Sequence, residues 1–203
     1  MIKNLIFDFG KVLVDYDFLH VIDTFFTDAP QLRQEFIDTI LTEEWQRTLD
    51  REDKPFPEYI AEMKQMYPRL APYIQLFNDR YQEFITGEMP GMRELLTQLK
   101  AQGYKLYGLT NWSTTVYEVM RRYEIFRLLD GQLISAEEHM LKPDAEIYHR
   151  LYEKFNLRPE ECLFADDREE NIRGGQQTGM DGIVFRSTEQ YARELAQKIQ
   201  NNK

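Results

Sequence analysis

One cysteine, three histidines and no long apolar run are the scarcities that first bound this 203-residue chain. Cys162 stands alone, which excludes an intrachain disulfide, and its apolar setting (Cys162-Leu163-Phe164-Ala165) makes it a small core residue in a reducing compartment. His20, His139 and His149 show no ligand spacing, so a zinc centre is not expected and the histidines read as surface or packing residues. Positive charge is also short. With 25 Lys and Arg against 35 Asp and Glu, the net charge of -10 argues against nonspecific nucleic-acid binding. Any phosphorylated ligand would need a local cation to overcome that field. No stretch approaches the roughly 18 apolar residues of a membrane span, and Asp8 interrupts what would have to be the apolar region of a signal peptide. A soluble, cytoplasmic protein without a membrane partner is the expectation.

What the chain does have is 42% hydrophobic content, enough for one full core and a small accessory unit. Five short apolar runs have strand character: Leu5 to Phe7, Lys105 to Leu109, Gln132 to Ile134, Cys162 to Ala165 and Gly182 to Phe185. Helical patterns separate them. Gly91 to Gln102 puts Met92, Leu95, Leu96 and Leu99 on one face and stops at Gly103; Asp144 to Phe155 puts Ile147, Tyr148, Leu151 and Tyr152 inward. Helices also fit Ser113 to Tyr123, Glu169 to Thr178 and Ser187 to Ile199. Such alternation predicts an α/β fold, a three-layer, Rossmann-like core with a mostly parallel sheet between helices. Residues 17–88 break the pattern. They show no convincing strand and several helical stretches (Gln31 to Leu41, Pro57 to Met66, Tyr73 to Ile85), punctuated by Pro55, Pro57, Pro68 and Pro72. We therefore expect a helical cap over 17–88 inserted into a core of 1–16 and 89–203, with Met89-Pro90-Gly91 marking the return and Trp45 lying in the cap.

Four residue sets fall at the carboxyl ends of different predicted strands, the edge at which open α/β sheets bind ligands. Asp8 ends the first run, where a buried strand would not tolerate an unpaired carboxylate. Thr110-Asn111-Trp112-Ser113 follows the second and offers a hydroxyl, an amide and helix-start N–H groups to an anion. Lys142, ahead of Pro143, can present a compact positive charge to phosphate. The fourth set is Asp166-Asp167 with Asn171 after it. Two adjacent aspartates repel each other unless a cation or hydrogen-bond donors compensate, and hard oxygen ligands favour magnesium over zinc.

In this order and at these strand ends, the four sets resemble the haloacid dehalogenase-like hydrolase superfamily over essentially the whole chain. The linking texts Pro90-Gly91-Met92-Arg93-Glu94-Leu95-Leu96 and Glu146-Ile147-Tyr148 to Gly179-Met180 are similar too. Within the superfamily, Phe7-Asp8-Phe9-Gly10-Lys11-Val12 and Ala165-Asp166-Asp167-Arg168-Glu169-Glu170-Asn171 look closest to bacterial glucose-1-phosphate phosphatases and, more distantly, to the phosphatase domain of soluble epoxide hydrolases. The resemblance implies a phosphatase of small phosphorylated metabolites. Asp8 would be the nucleophile and a magnesium ligand, Gly10 would add its backbone carbonyl, and Thr110 and Asn111 would hold phosphoryl oxygens. Lys142 would neutralise charge on Asp8 and the phosphoryl group. Asp167 would bind Mg2+, with Asp166 a direct or indirect ligand and Asn171 in support.

The chain departs from that family at Gly10, where most such phosphatases carry an aspartate that protonates the leaving group. Asp15 or Asp17 at the entrance to the insert, or a bound water acting as a relay, are the substitutes by sequence, although Asp15 reads first as an Asx-type turn residue. A sugar 1-phosphate, whose anomeric oxygen leaves more readily, would suffer least from the loss, so selectivity for good leaving groups is expected. Two alternatives share the family features: a 2-haloacid dehalogenase, which needs no such acid, and a noncatalytic phosphosugar-binding module. The acidic pair Asp166-Asp167 favours the phosphatase over the dehalogenase.

Overall fold

The computed structural model describes residues 1–201. Five parallel strands form its main sheet: β1 (Asn4–Phe7), β4 (Lys105–Thr110), β5 (Gly131–Ile134), β6 (Cys162–Asp166) and β7 (Asp181–Val184), in the order β5-β4-β1-β6-β7. Two further strands, β2 (Val14–Tyr16) and β3 (Ile85–Glu88), pair antiparallel as a separate ribbon. Helices α1 (Phe18–Asp23), α2 (Pro30–Ile40), α3 (Glu43–Arg51), α4 (Phe56–Met66) and α5 (Ala71–Asp79) lie between the ribbon strands. The rest follow the α/β alternation: α6 (Met92–Ala101), α7 (Val116–Arg122), α8 (Ser135–Glu138), α9 (Ala145–Phe155), α10 (Glu169–Gln177) and α11 (Thr188–Asn201). This is the expected three-layer α/β architecture with a helical insert.

Side-chain alternation explains the layers. On β1, Leu5 and Phe7 point into a cluster with Met92, Leu96, Val116 and Tyr191, supplied by α6, α7 and α11. Ile6 points the other way, toward Tyr148, Leu151 and Ile172 of α9 and α10. Residues on both faces of β1 and β6 are buried, as continuous apolar runs require in a covered parallel sheet. The insert has its own cluster, built largely of aromatics: Phe26, Phe36, Phe77 and Phe84 are buried there, and Phe26 stacks on Tyr73 with ring centroids 4.3 Å apart. Each buried ring contributes roughly 1.5–3 kcal/mol by area alone, so the insert does not depend on the sheet for its apolar burial.

Three local differences from the sequence expectation have physical reasons. The stretch 17–88 does hold a strand, β3, but Ile-Thr-Gly-Glu gives no apolar run and its pairing with β2 is long-range. Helix α3 was not expected, because it buries no side chain fully; Thr42 starts it by accepting the Trp45 N–H at 3.3 Å. The helix expected from Ser113 begins only at Val116, since residues 113–115 form turns at the sheet edge.

Sheet order puts β1 in the centre with β4 and β6 on either side, so three strand ends open into one crevice. Gly174 of α10 keeps the next loop close: a Cβ there would lie 2.6 Å from the Pro143 carbonyl oxygen and 3.0 Å from Tyr148. We predict that Gly174→Ala destabilises the protein by about 1–3 kcal/mol in urea unfolding, since backbone must shift to admit the methyl. An unchanged midpoint would show that the loop carrying Lys142 yields freely.

Candidate active site

The crevice is a cavity of about 340 Å³ between the carboxyl edge of the sheet and the insert. Asp8, Gly10, Thr110, Asn111, Lys142, Asp167 and Asn171 all line it, so residues spread over more than 160 positions of sequence meet at one place. Asp166 lies just beneath.

Lys142 is the hub of that meeting. It is 1% exposed, and its ammonium meets Asp8 Oδ1 at 3.0 Å, Asp166 Oδ2 at 2.7 Å and the Leu109 carbonyl at 3.0 Å. Three acceptors match the three N–H bonds of an ammonium. Burial pulls its pKa down, but Asp166 and Asp8 outweigh that and hold it above the ordinary lysine value. Its backbone is clasped as well. Asn111 Oδ1 accepts the Lys142 N–H at 2.8 Å while Asn111 Nδ2 donates to the Lys142 carbonyl at 3.0 Å. The Asn111 amide thus positions Lys142 at both ends.

The two adjacent aspartates have different surroundings. Asp166 has no exposed surface; its oxygens accept from Lys142, from the Arg168 backbone N–H at 2.8 Å and from Asn171 Nδ2 at 3.0 and 3.1 Å. Asp167 is half-buried and faces the cavity, and burial together with the Asp166 charge raises its pKa against the pull of Lys142. Asp8 takes the Phe9 N–H on Oδ1 at 2.7 Å; burial pushes its pKa up to about 7, Lys142 opposes this, and Asp166 and Asp167 reinforce it. Three carboxylates therefore face a single ammonium.

That imbalance bears on metal binding. Oxygen atoms of Asp8, Asp166 and Asp167 lie within 4.8 Å of one another, and an all-oxygen set suits a hard divalent cation such as magnesium. Asp8 and Asp167 turn toward the cavity, whereas Asp166 is consumed by its hydrogen bonds. None of the three histidines lines the cavity. An anion also fits. Thr110 is 1% exposed, and its hydroxyl is among the few buried side-chain atoms that have no hydrogen-bond partner among the described residues. An unsatisfied buried hydroxyl costs about 1–3 kcal/mol, and a phosphoryl oxygen in the cavity would remove that cost.

Gly10 sits under the Tyr16 ring: a Cβ on Gly10 would lie 2.9 Å from Tyr16 Cε1. The ring thus takes the space that a side chain at position 10 would need. Asp15 and Asp17 do not line the cavity. Asp15 pairs with Lys11 at 2.6 Å and accepts the Tyr16 N–H, and Asp17 caps α1 by accepting the His20 N–H at 3.0 Å. Sequence patterns passed over other residues of the wall, including Tyr16, Arg47, Asp50 and Arg168. For those on α3 the available signal was the Thr42 cap followed by Glu43 and Glu44.

A family model described as haloacid dehalogenase-like hydrolase matches residues 2–179. The chain is 34% identical over 110 residues to the sesquiterpene phosphatase astK of Aspergillus oryzae, a match covering 53% of this chain and 56% of that protein. It thus spans about half the length of that relative. A phosphorylated carbohydrates phosphatase of Thermotoga maritima is 24% identical over 186 residues, 89% of this chain and 83% of its own. Among solved structures, the HAD family enzyme bt-2542 of Bacteroides thetaiotaomicron superimposes with a TM-score of 0.78 at 20% identity, covering 96% of this chain and 98% of that one. That protein has also been solved as a magnesium complex.

We predict that Lys142→Met destabilises the fold by about 3–5 kcal/mol, because it strands the buried Asp166 carboxylate. Adding Asp166→Asn should recover part of the loss in chemical denaturation. Equal losses in the single and double variants would mean that the stranded charge is not the cause.

Proposed function

The chain belongs to the haloacid dehalogenase-like hydrolases, and from that premise we propose that it is a magnesium-dependent phosphatase of small phosphorylated metabolites working through an aspartyl-phosphate on Asp8. The observation that carries this reading is the pairing of Asp8 with a fully buried ammonium, 3.0 Å away, beside the orphaned Thr110 hydroxyl and a cluster of three carboxylates. The names of the astK and Thermotoga relatives and the magnesium complex of bt-2542 agree with it.

Asp8 attacks phosphorus in line from the end of β1. Lys142 and the Thr110 hydroxyl face the charge that gathers on the phosphoryl oxygens, and Asn111 holds Lys142 in place. Asp8, Asp167 and the Gly10 carbonyl are the groups we assign to magnesium, with Asp166 and Asn171 behind them. Bound there, magnesium supplies positive charge that offsets the carboxylates and the phosphoryl group. Phosphate monoesters are among the slowest esters to hydrolyse, needing accelerations up to about 10²¹, so charge compensation has to dominate. Residues 17–88 act as the cap and choose the substrate, over a catalytic core of 1–16 and 89–203.

Sugar phosphates, and sugar 1-phosphates in particular, are the finer assignment. It draws support from Gly10, which leaves the loop carrying Asp8 without an acid of its own for a leaving oxygen, and from polar cap residues such as Gln46 and Arg47 on the cavity wall. Dehalogenation gives no use for the carboxylate cluster, which is why the phosphatase is preferred.

Phosphate release should be faster from glucose 1-phosphate than from glucose 6-phosphate, should stop with a chelator, and should fall by at least about 10³-fold in Asp8→Asn. Equal rates on the two sugars would remove the 1-phosphate assignment. Haloacid turnover that survives the chelator would replace the phosphatase with a dehalogenase, and tight phosphosugar binding without product would leave a binding module. Magnesium should raise the melting temperature of the native protein but not of Asp167→Asn.

A further inference from the structure

Cleaving the phosphate ester of an ordinary alcohol calls for a proton at the leaving oxygen, and the loop carrying Asp8 offers no acid for it. Asp50 does. It lies in the last turn of α3 and lines the same cavity as Asp8, Lys142 and Asp167. Although the insert carries it, the core fixes its position through three consecutive residues. Ser135 Oγ donates to the Asp50 carbonyl at 2.6 Å, His139 Nδ1 meets the Arg51 carbonyl at 3.1 Å, and Glu52 accepts the Thr114 N–H at 2.6 Å and the Thr114 hydroxyl at 2.8 Å. Glu52 is buried and holds a left-handed φ of 48°, which ends α3 at that spot.

The other acidic groups nearby are engaged. Glu43 and Glu170 line the cavity but both pair with Arg168. Tyr16 is pushed up to about 12 by burial and by the charges of Asp167 and Asp8, which makes it a weak acid. Among the described residues no ion pair holds Asp50. Burial, and then the Asp8 charge, push its pKa up to about 8, against Lys142, the Ser113 N–H and Arg168. Burial therefore favours the protonated form of its carboxyl.

We infer that Asp50 is the acid that protonates the leaving oxygen and the base that then activates water, supplied from the insert side of the cavity because position 10 cannot supply it. This inference rests on the phosphatase reading and deepens it. As an Asp8 carboxylate oxygen bonds to phosphorus, the bond to the leaving oxygen breaks, its electron pair stays on that oxygen, and the Asp50 proton goes to it. The alcohol departs and Asp50 is a carboxylate. Asp50 next takes a proton from water as the water oxygen bonds to phosphorus. The bond to Asp8 breaks with its pair returning to Asp8, phosphate leaves, and Asp50 is again protonated. In-line attack from β1 directs the leaving group away from Asp8 into the cavity, whose wall includes Gln46, Arg47 and Asp50 of α3. A 1-phosphate needs this acid least, so the expected sugar preference should widen when Asp50 is removed.

The test compares kcat/KM, which reports the steps up to departure of the alcohol, on glucose 6-phosphate and p-nitrophenyl phosphate. In Asp50→Asn we expect a loss of about 10²-fold or more on the sugar and less than about tenfold on the nitrophenyl ester, whose leaving group needs no proton. Asp50→Glu should restore part of the sugar activity. Equal losses on the two esters, or no loss, overturn the role of Asp50 while leaving the phosphatase intact. Failure of the native protein to release phosphate from either ester overturns both. Should the Asn variant not fold, Asp50→Ser permits the same comparison, because the contacts of Ser135, His139 and Thr114 involve the backbone and Glu52.

Discussion

A buried ammonium organises this molecule. Moving a lysine out of water costs several kcal/mol unless its charge and all three N–H bonds are matched, and the partners of Lys142 come from the ends of three strands: Asp8 after β1, Leu109 in β4 and Asp166 in β6. Any shift of one strand end against another would leave a charge unpaired in the interior. Site geometry and fold stability are therefore the same constraint. Asn111 and Asn171 extend it outward, one clasping the lysine backbone and the other satisfying both oxygens of Asp166. The three carboxylates exceed what one ammonium can neutralise, and the surplus of oxygen donors suits a hard divalent cation.

The insert answers to a different requirement. Its aromatic cluster lets its helices pack on one another, so its few contacts with the core can serve position. The chain enters and leaves it by way of the β2–β3 ribbon, and Tyr16 on that ribbon covers Gly10. The carboxyl end of α3 is tied to the core loops by residues 50–52. An insert fixed in this way can bring a polar group to the cavity as well as cover it, and Asp50 lines the cavity together with Asp8 and Gly10.

Much of the architecture was legible because burial leaves a trace in local composition. Central strands covered on both faces must be apolar throughout, and Cys162 to Ala165 or Leu5 to Phe7 cannot be mistaken for loops. Helices α6 and α9 present one apolar stripe each, with Gly103 and Asn156 at their ends. The opposite holds for β3 and α3. Neither buries enough side chain to imprint a period, and each is held by partners far away in sequence, so nothing nearby announces them. Asp50 was hidden for that reason: on an amphipathic surface a lone carboxylate looks like any solvated charge.

The sequence by itself determined the alternation of strands and helices, the helical insert and the chemical character of the strand ends, since apolar runs that stop on Asp8, Thr110 and Asp166 encode both burial and exit into a cleft. Tertiary structure alone decided how those groups are shared. Only in space does Lys142 meet Asp8 and Asp166, does the Asn111 amide turn to its backbone, and does Asp166 become saturated while Asp167 faces the cavity. Hydrogen-bond valence is the physical reason: a donor or acceptor can be assigned only when every neighbour competing for it is known, and those neighbours lie far apart in the sequence, as Lys142 does from Asp8 and Ser135 from Asp50.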